Sequence, residues 1–294
     1  KRVDKAVSTW LLIGLIMVFL QVVIGGVTRL TDSGLSITEW EVIQGTLPPM
    51  NAAQWEEAFA KYRQKAGKQY MSLHADMDMS EFQFIYFWEY FHRLWARIMG
   101  LVFIIPFGIF LYQRKLPRWL LPRLGGIILL AAAAAIFGWI MVASGLDNDQ
   151  RTWVSAYKLI IHLSIATALF GYIFWTWQRS RGVRASLTLP PYLYRLLWGG
   201  TAFLLLQIIL GGLMAGMRAG LVHPHFPMFV NGSAFFASLG EAYSMTTDTI
   251  IDYEASASVK SCVQLLHRIG AYLITGCFVW LFFQLRRWLD LSAP

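Results

Sequence analysis

Charge is what this chain is short of. Only 14% of its 294 residues are Asp, Glu, Lys or Arg, where a soluble domain carries about 25%. The shortage is local: residues 10–27 and 124–146 hold no charged residue at all, and each run is long enough to cross a hydrocarbon core ~30 Å thick. A pair of soluble domains, which the length alone would suggest at roughly 150 residues each, is thereby excluded. Cysteine is scarcer still. Cys262 and Cys277 are the only two, both in one apolar run, and the intervening helix would hold them ~22 Å apart, far beyond disulfide reach. A disulfide framework and a CxxC metal or redox site are both ruled out. No P-loop, GxGxxG, GxSxG or HExxH occurs, which removes the nucleotide and hydrolase readings.

What the chain has in abundance is apolar and aromatic surface: 56% hydrophobic residues, with 20 Phe, 13 Trp and 12 Tyr. Hydropathy places six spans, roughly 10–27, 84–112, 124–146, 153–177, 196–217 and 259–285. Strong strand-like alternation is lacking, and a single spanning segment in lipid satisfies its own backbone only as a helix. The expectation is an all-α integral membrane protein. The net charge of +8 comes from short loops between spans, so it reads as a topology signal rather than nucleic-acid binding. Lys1, Arg2 and Lys5, then Arg114, Lys115, Arg118 and Arg123, then Arg179, Arg181, Arg184 and Arg195, then Arg286 and Arg287 all fall on one side. That side is expected to be cytoplasmic, with the N-terminus. The 28–83 loop, the Asp147–Arg151 turn and the 218–258 loop then lie outside, and the stretch 51–69 has helical spacing there. The opening residues run into the first span without a small-residue cleavage site, predicting an uncleaved first helix.

An internal repeat divides the chain. Leu20-Gln21-Val-Val-Ile-Gly25-Gly26 in span one corresponds to Leu206-Gln207-Ile-Ile-Leu-Gly211-Gly212 in span five. Glu89-Tyr-Phe-His92-Arg93 in span two corresponds to Gln264-Leu-Leu-His267-Arg268 in span six. A parallel duplication predicts a tandem repeat of four-helix bundles, residues 1–185 forming the first and 186–294 the second. Six spans are visible, so the second bundle is incomplete by symmetry.

Three of the six histidines, His92, His162 and His267, lie inside spans two, four and six. Ionisable groups in the membrane are functional candidates, although a lone one often serves helix–helix hydrogen bonding. Three at matching depth point to haem iron, a porphyrin between helices taking an axial imidazole from each side. His92 and His162 form one such pair; His267 is the equivalent of His92 in the second half. Arg93, Arg268 and Lys158 lie beside these histidines and suit anionic porphyrin propionates; snorkelling or pairing with outer-loop acids is the plainer alternative. Glu89 sits three residues before His92, on the same helix face. An acid there costs a few kcal/mol, and its plainest explanation is an ion pair with Arg93, Arg97 or Lys158. The outer His223-Pro-His225 and His74-Ala-Asp76 lack further ligands at zinc-like spacing.

The stretch Gly25-Gly-Val-Thr-Arg29-Leu-Thr-Asp-Ser-Gly34-Leu-Ser-Ile-Thr-Glu-Trp40, followed by Gly45-Thr-Leu-Pro48-Pro49, resembles the haem A synthase family. So do Glu89 through Arg93, Gly138-Trp139 through Ser144-Gly145-Leu146, Leu159 through His162, Ala219-Gly220-Leu221 with Phe226-Pro227, and Gln264 through Arg268. The resemblance runs in order from residue 10 to about 285, and the first outer loop is its most specific part. It implies an oxidoreductase of the bacterial inner membrane that converts haem O to haem A by oxidising a porphyrin methyl to formyl, for terminal oxidase assembly. It assigns Glu89, His92 and His162 to the haem being oxidised, with Glu89 catalytic. It assigns His267 to a haem b that passes electrons. Implied partners are a haem O synthase as substrate donor, a quinol or ferredoxin-type electron donor, and the lipid bilayer; self-association is open. The first outer loop lacks the cysteine pair of some bacterial members, which matches the cysteine-free, mitochondrial-like class. The family's last two helices and fourth histidine do not occur in this sequence, and truncation is the expectation. A diheme b-type quinol-oxidising cytochrome and a haem or small-molecule transporter are the competing readings.

Overall fold

A computed structural model describes residues 3–40, 44–146, 152–182, 189–224, 236–237, 240 and 245–292. The expected Asp147–Arg151 turn, Arg184, His225 and Phe226-Pro227 lie outside the described residues. Among the described residues the regular structure is helical: α1 (Lys5–Leu30), α2 (Ala52–Lys65), α3 (Gly67–Leu73), α4 (Met79–Tyr112), α5 (Leu121–Leu146), α6 (Ala156–Ser180), α7 (Pro191–Gly216), α8 (Thr247–Ile251) and α9 (Ala257–Ser292), with short 3₁₀ turns at Gln44–Thr46 and Ala219–Leu221. Six of these, α1, α4, α5, α6, α7 and α9, are long and apolar enough to cross a membrane.

The helices follow the hydropathy spans, and local chemistry sets where they differ. α4 starts five residues before its expected span because Asp78 and Glu81 form a capping box: Asp78 Oδ1 accepts from the Glu81 amide at 2.8 Å and Glu81 Oε2 from the Asp78 amide at 3.1 Å. That pairing satisfies orphan donors at the first turn and extends the helix beyond its apolar run. α6 begins at Ala156 rather than 153, after the Ser155 amide donates to Ser144 Oγ of α5 at 3.1 Å. The outer helical stretch is two helices broken at Ala66. Cys262 and Cys277 are free thiols.

The chain divides into two compact units, Lys1–Arg184 and Ala185–Pro294. In the first, α1 packs on both α4 and α6, and α6 on α5. At the end that holds the start of α1, Val7, Leu11, Leu120, Leu124 and Ile173 make an apolar core. Lipid tails give little hydrophobic drive for helix association, so interhelical hydrogen bonds matter more there. Trp10 Nε1 donates to Val102 O at 2.9 Å and Trp95 Nε1 to Met17 O at 3.0 Å, joining α1 to α4. A second core at the opposite end joins α2 to α4 through Phe59, Tyr62, Phe82 and Ile85, with Phe59 stacked on Phe82 at 4.7 Å. In the second unit α7 packs along α9, and the Ala219–Leu221 turn rests on both. The outward faces of the spans carry exposed apolar side chains such as Phe19, Leu101, Ile104, Leu129 and Phe282, the surface that lipid covers.

Candidate functional site

In the first unit the histidines stand on helices that hardly touch. α4 carries His92 and α6 carries His162, and among the described residues these two helices share no extended interface; α1 bridges them. Each ring fills the notch of a glycine. A Cβ on Gly25 of α1 would lie 3.1 Å from His92 Nε2, and one on Gly138 of α5 would lie 3.1 Å from His162 Cε1. Any side chain at those two positions would crowd the rings.

His162 Nδ1 lies 2.9 Å from the Ala134 carbonyl oxygen. A carbonyl only accepts, so Nδ1 carries the hydrogen and Nε2 keeps its lone pair, the tautomer that an axial ligand requires. The ring nitrogens of His92 have no hydrogen-bond partner among the described residues, while its carbonyl accepts from Gln21 Nε2 at 3.1 Å. The donor set is two imidazoles, each against a glycine of a neighbouring helix, a chemistry that suits iron porphyrin.

Glu89, one turn outward of His92, is only 4% exposed. Arg93 Nη2 donates to its Oε1 at 2.5 Å, while Ser36 Oγ and the Ile37 amide both donate to Oε2 at 2.8 Å. The ion pair expected as the plainest account of Glu89 therefore exists, with Arg93 as the cation. Arg93 also donates to the carbonyls of Ile37 at 2.8 Å and Glu39 at 3.0 Å, and its guanidinium lies over the Trp40 ring. Lys158 is half-buried and makes no hydrogen bond or ion pair within the described residues.

The second unit repeats the design with changes. A Cβ on Gly211 of α7 would lie 3.2 Å from His267 Cε1. Gln207 Nε2 is 2.7 Å from the His267 carbonyl and 3.0 Å from Nδ1. An amide donating to Nδ1 leaves the lone pair there, the reverse of His162. Gln264 is fully buried, and its Nε2 donates to the His223 carbonyl at 2.7 Å; Arg268 Nη2 donates to that same carbonyl at 2.9 Å. His223 Nε2 pairs with Ser261 Oγ at 3.0 Å.

Outside the spans, the hydrogen bond from Lys61 holds the Glu39 carboxyl below its usual range, and Glu57 and Glu39 raise the Lys61 ammonium in turn. Burial, reinforced by the nearby Arg268 charge, holds His223 below its ordinary value of 6.5. His74 Nδ1 lies 2.6 Å from Tyr62 Oη, a packing contact of the second core. Among the described residues no three His, Cys, Asp or Glu side chains converge as a metal site. Sequence reasoning missed Ser36 and the Ile37 amide as partners of Glu89, and the role of Gly25, Gly138 and Gly211. The repeat of Gln-x-x-x-Gly-Gly was the available signal for two of these glycines.

The family model for cytochrome oxidase assembly proteins (COX15-CtaA) matches residues 8–291. Among curated proteins, the chain is 37% identical to the Heme A synthase of Flavobacterium johnsoniae, over 98% of this chain and 82% of that one. It is 39% identical to the Heme A synthase of Flavobacterium psychrophilum, over 97% and 81%, and 39% identical to that of Parvibaculum lavamentivorans, over 96% and 78%. No solved structure matches the chain.

Proposed function

Because the chain belongs to the cytochrome oxidase assembly protein family (COX15-CtaA), we propose that it is a haem A synthase, a membrane oxidoreductase whose substrate is haem O. The reaction oxidises one porphyrin methyl through the alcohol to formyl. We assign it to the first unit, where one observation carries the assignment. His92 on α4 and His162 on α6 stand on two helices that both pack against α1, with the buried Glu89 carboxylate one turn from His92.

Iron porphyrin bound there supplies the redox chemistry; the protein supplies position, charge and exclusion of water. His162 offers Nε2 because Ala134 holds the hydrogen on Nδ1. Gly25 and Gly138 leave room for the two rings. Glu89 is fixed by three donors and presents negative charge near the substrate. A methyl carbon undergoing oxidation becomes electron-poor, and a preorganised charge of opposite sign stabilises that change without reorganising. Arg93 holds Glu89 and the loop, which leaves Lys158, half-buried and without a hydrogen bond or ion pair among the described residues, as a cation of this unit for propionates.

The second unit, with His267 and neutral Gln264, suits a haem b that relays electrons from a quinol or ferredoxin-type donor, Arg268 holding the outer segment over it. To offer Nε2 to iron, His267 would need the other tautomer, with the Gln207 amide no longer donating to Nδ1. A haem O synthase is the natural source of substrate. The basic inner loops orient the chain in a bacterial inner membrane with the N-terminus inside. The purified full chain tests the reading. Its reduced-minus-oxidised spectrum should be of b type, and acid extraction should yield haem O, the alcohol and haem A. Extraction of unmodified protohaem alone would leave an electron-transfer cytochrome.

A further inference from the structure

The outer segment that follows α1 is built as a strap across Glu89. Two of its residues are left-handed without being glycine, Asp32 (φ 53°) and Leu35 (φ 77°). Such conformations persist only where surrounding contacts over-determine them. Here they do. Leu35 is 1% exposed, and its Cδ1 lies 2.8 Å from where a Cβ on Gly145 of α5 would sit, so only glycine leaves room for it. Gln69 Nε2 donates to Asp32 O at 3.4 Å, Lys61 pairs with Glu39 at 3.1 Å, and Arg93 binds the carbonyls of Ile37 and Glu39. Between these anchors the strap turns two donors, Ser36 Oγ and the Ile37 amide, onto one oxygen of Glu89.

The second unit supplies an internal control. In the register set by Gln21 with Gln207 and Gly25 with Gly211, Asp32 corresponds to Arg218, Ser36 to Val222 and Ile37 to His223. Asp32 and Arg218 share the left-handed conformation, at φ 53° and 50°. Ile37 and His223 each offer a carbonyl to the arginine that follows a histidine, Arg93 or Arg268. The backbone device is thus common to both units. The hydroxyl is not: where Glu89 becomes Gln264, Ser36 becomes Val222. The donor and the carboxylate disappear together, and Gln264 instead donates to the strap carbonyl.

We infer that Ser36, with the Ile37 amide, is a positioning residue that fixes which way the Glu89 carboxylate faces. Ser36 acts through Glu89, and this rests on the catalytic reading of Glu89 given above. A carboxylate with one oxygen committed to Arg93 and the other to the strap cannot swing about its terminal torsion, a broad and soft rotation when unrestrained. Hydrogen bonds to charged groups are among the stronger ones, so removing one should lower the turnover of haem O by about tenfold or more.

The test uses the full chain in detergent, in four variants. Ser36→Ala should keep its haem content and low-spin spectrum, lower kcat about tenfold with KM nearly unchanged, and accumulate haem O. Ser36→Thr, which keeps the hydroxyl, should recover most of the rate. In the haem-free chain Glu89→Ala should raise amide exchange across residues 33–40 about tenfold, because the Ile37 amide loses its acceptor. Wild-type kcat in Ser36→Ala while Glu89→Gln is stalled overturns the inference and leaves the catalytic reading intact. Full activity in Glu89→Gln removes that reading and this inference with it. Loss of haem from Ser36→Ala, or unchanged exchange in Glu89→Ala, also overturns the positioning role.

Discussion

The two units share a frame and differ in what fills it. Each has a helix with Gln-x-x-x-Gly-Gly, a histidine packed into a glycine notch on the neighbouring helix, and a left-handed turn whose downstream carbonyl accepts from an arginine. The first unit places an acid, Glu89, beneath that turn, and the second an amide, Gln264. The hydrogen bonds reverse with the substitution: the strap donates to Glu89 but accepts from Gln264. A duplicated scaffold can hold two similar groups; a charge in one copy alone gives the copies different chemistry.

Removing a proposed haem ligand should have the largest effect and should respect the division. His162→Ala deletes the histidine whose Nδ1 is held by the Ala134 carbonyl, and on the proposed assignment it should strip haem from the first unit and abolish haem A formation. His267→Ala should leave first-unit haem in place. Haem counted by extraction against protein, together with the low-spin spectrum, checks both. Equal loss of all haem in either variant would break the picture of separable sites.

Next comes the charge itself. Glu89→Gln imitates the second unit in the first, and should retain haem while slowing oxidation by about 10²–10³-fold, the usual loss when one preorganised electrostatic group is removed. Gln264→Glu, the converse change, should not create a second oxidising site, because Val222 cannot donate as Ser36 does. Extracted haem separated by chromatography reads both variants. Haem A formed at full rate by Glu89→Gln would leave Glu89 only its ion pair with Arg93.

The glycine notches predict a smaller effect that both units should share. Alanine at Gly138 or Gly211 would bring a methyl to 3.1 or 3.2 Å from a histidine Cε1. That contact obliges the ring to shift by a few tenths of an ångström. Haem retention should weaken a few-fold at each site, seen as faster transfer of haem to apomyoglobin. A shift in one unit only would show that the notches are not equivalent.

The spans, the repeat and the three histidines were legible in the sequence because apolar length and identical spacing are one-dimensional signals. The capping box that lengthens α4 was written there too, as Asp78-x-x-Glu81, but outside the apolar run that defined the span. The strap was not legible. Leu35 and Ser36 look like ordinary loop residues, and their role arises only when the chain folds back over α4 and α5 to meet Gly145 and Glu89. Arg93 was legible as a buried cation but not as the staple of that strap, since backbone carbonyls leave no mark in a sequence. His162 was legible as a candidate ligand, whereas its tautomer depends on the Ala134 carbonyl of another helix.

The smallest effect concerns pH, and separates the units by the residue that follows the left-handed turn. Ile37 cannot titrate; His223 can. Its folded-state pKa is held below 6.5 by burial and by the Arg268 charge, and its described hydrogen-bond partners Ser261 and Gln264 are neutral. The detached segment therefore binds a proton more readily than the attached one, and stability rises with pH across the interval between the depressed value and about 6.5. Attachment is complete above that interval and weakens as the pH falls through it. Amide exchange over 218–224, corrected for its intrinsic pH dependence, should speed up between about pH 7.5 and pH 5.5. Exchange over 33–40 should stay flat across the same range, because Ile37 carries no proton to gain. His223→Gln should make the second segment behave like the first. A pH response that persisted in His223→Gln would assign the titration to another group, and the two outer segments would then differ in sequence but not in their response to acid.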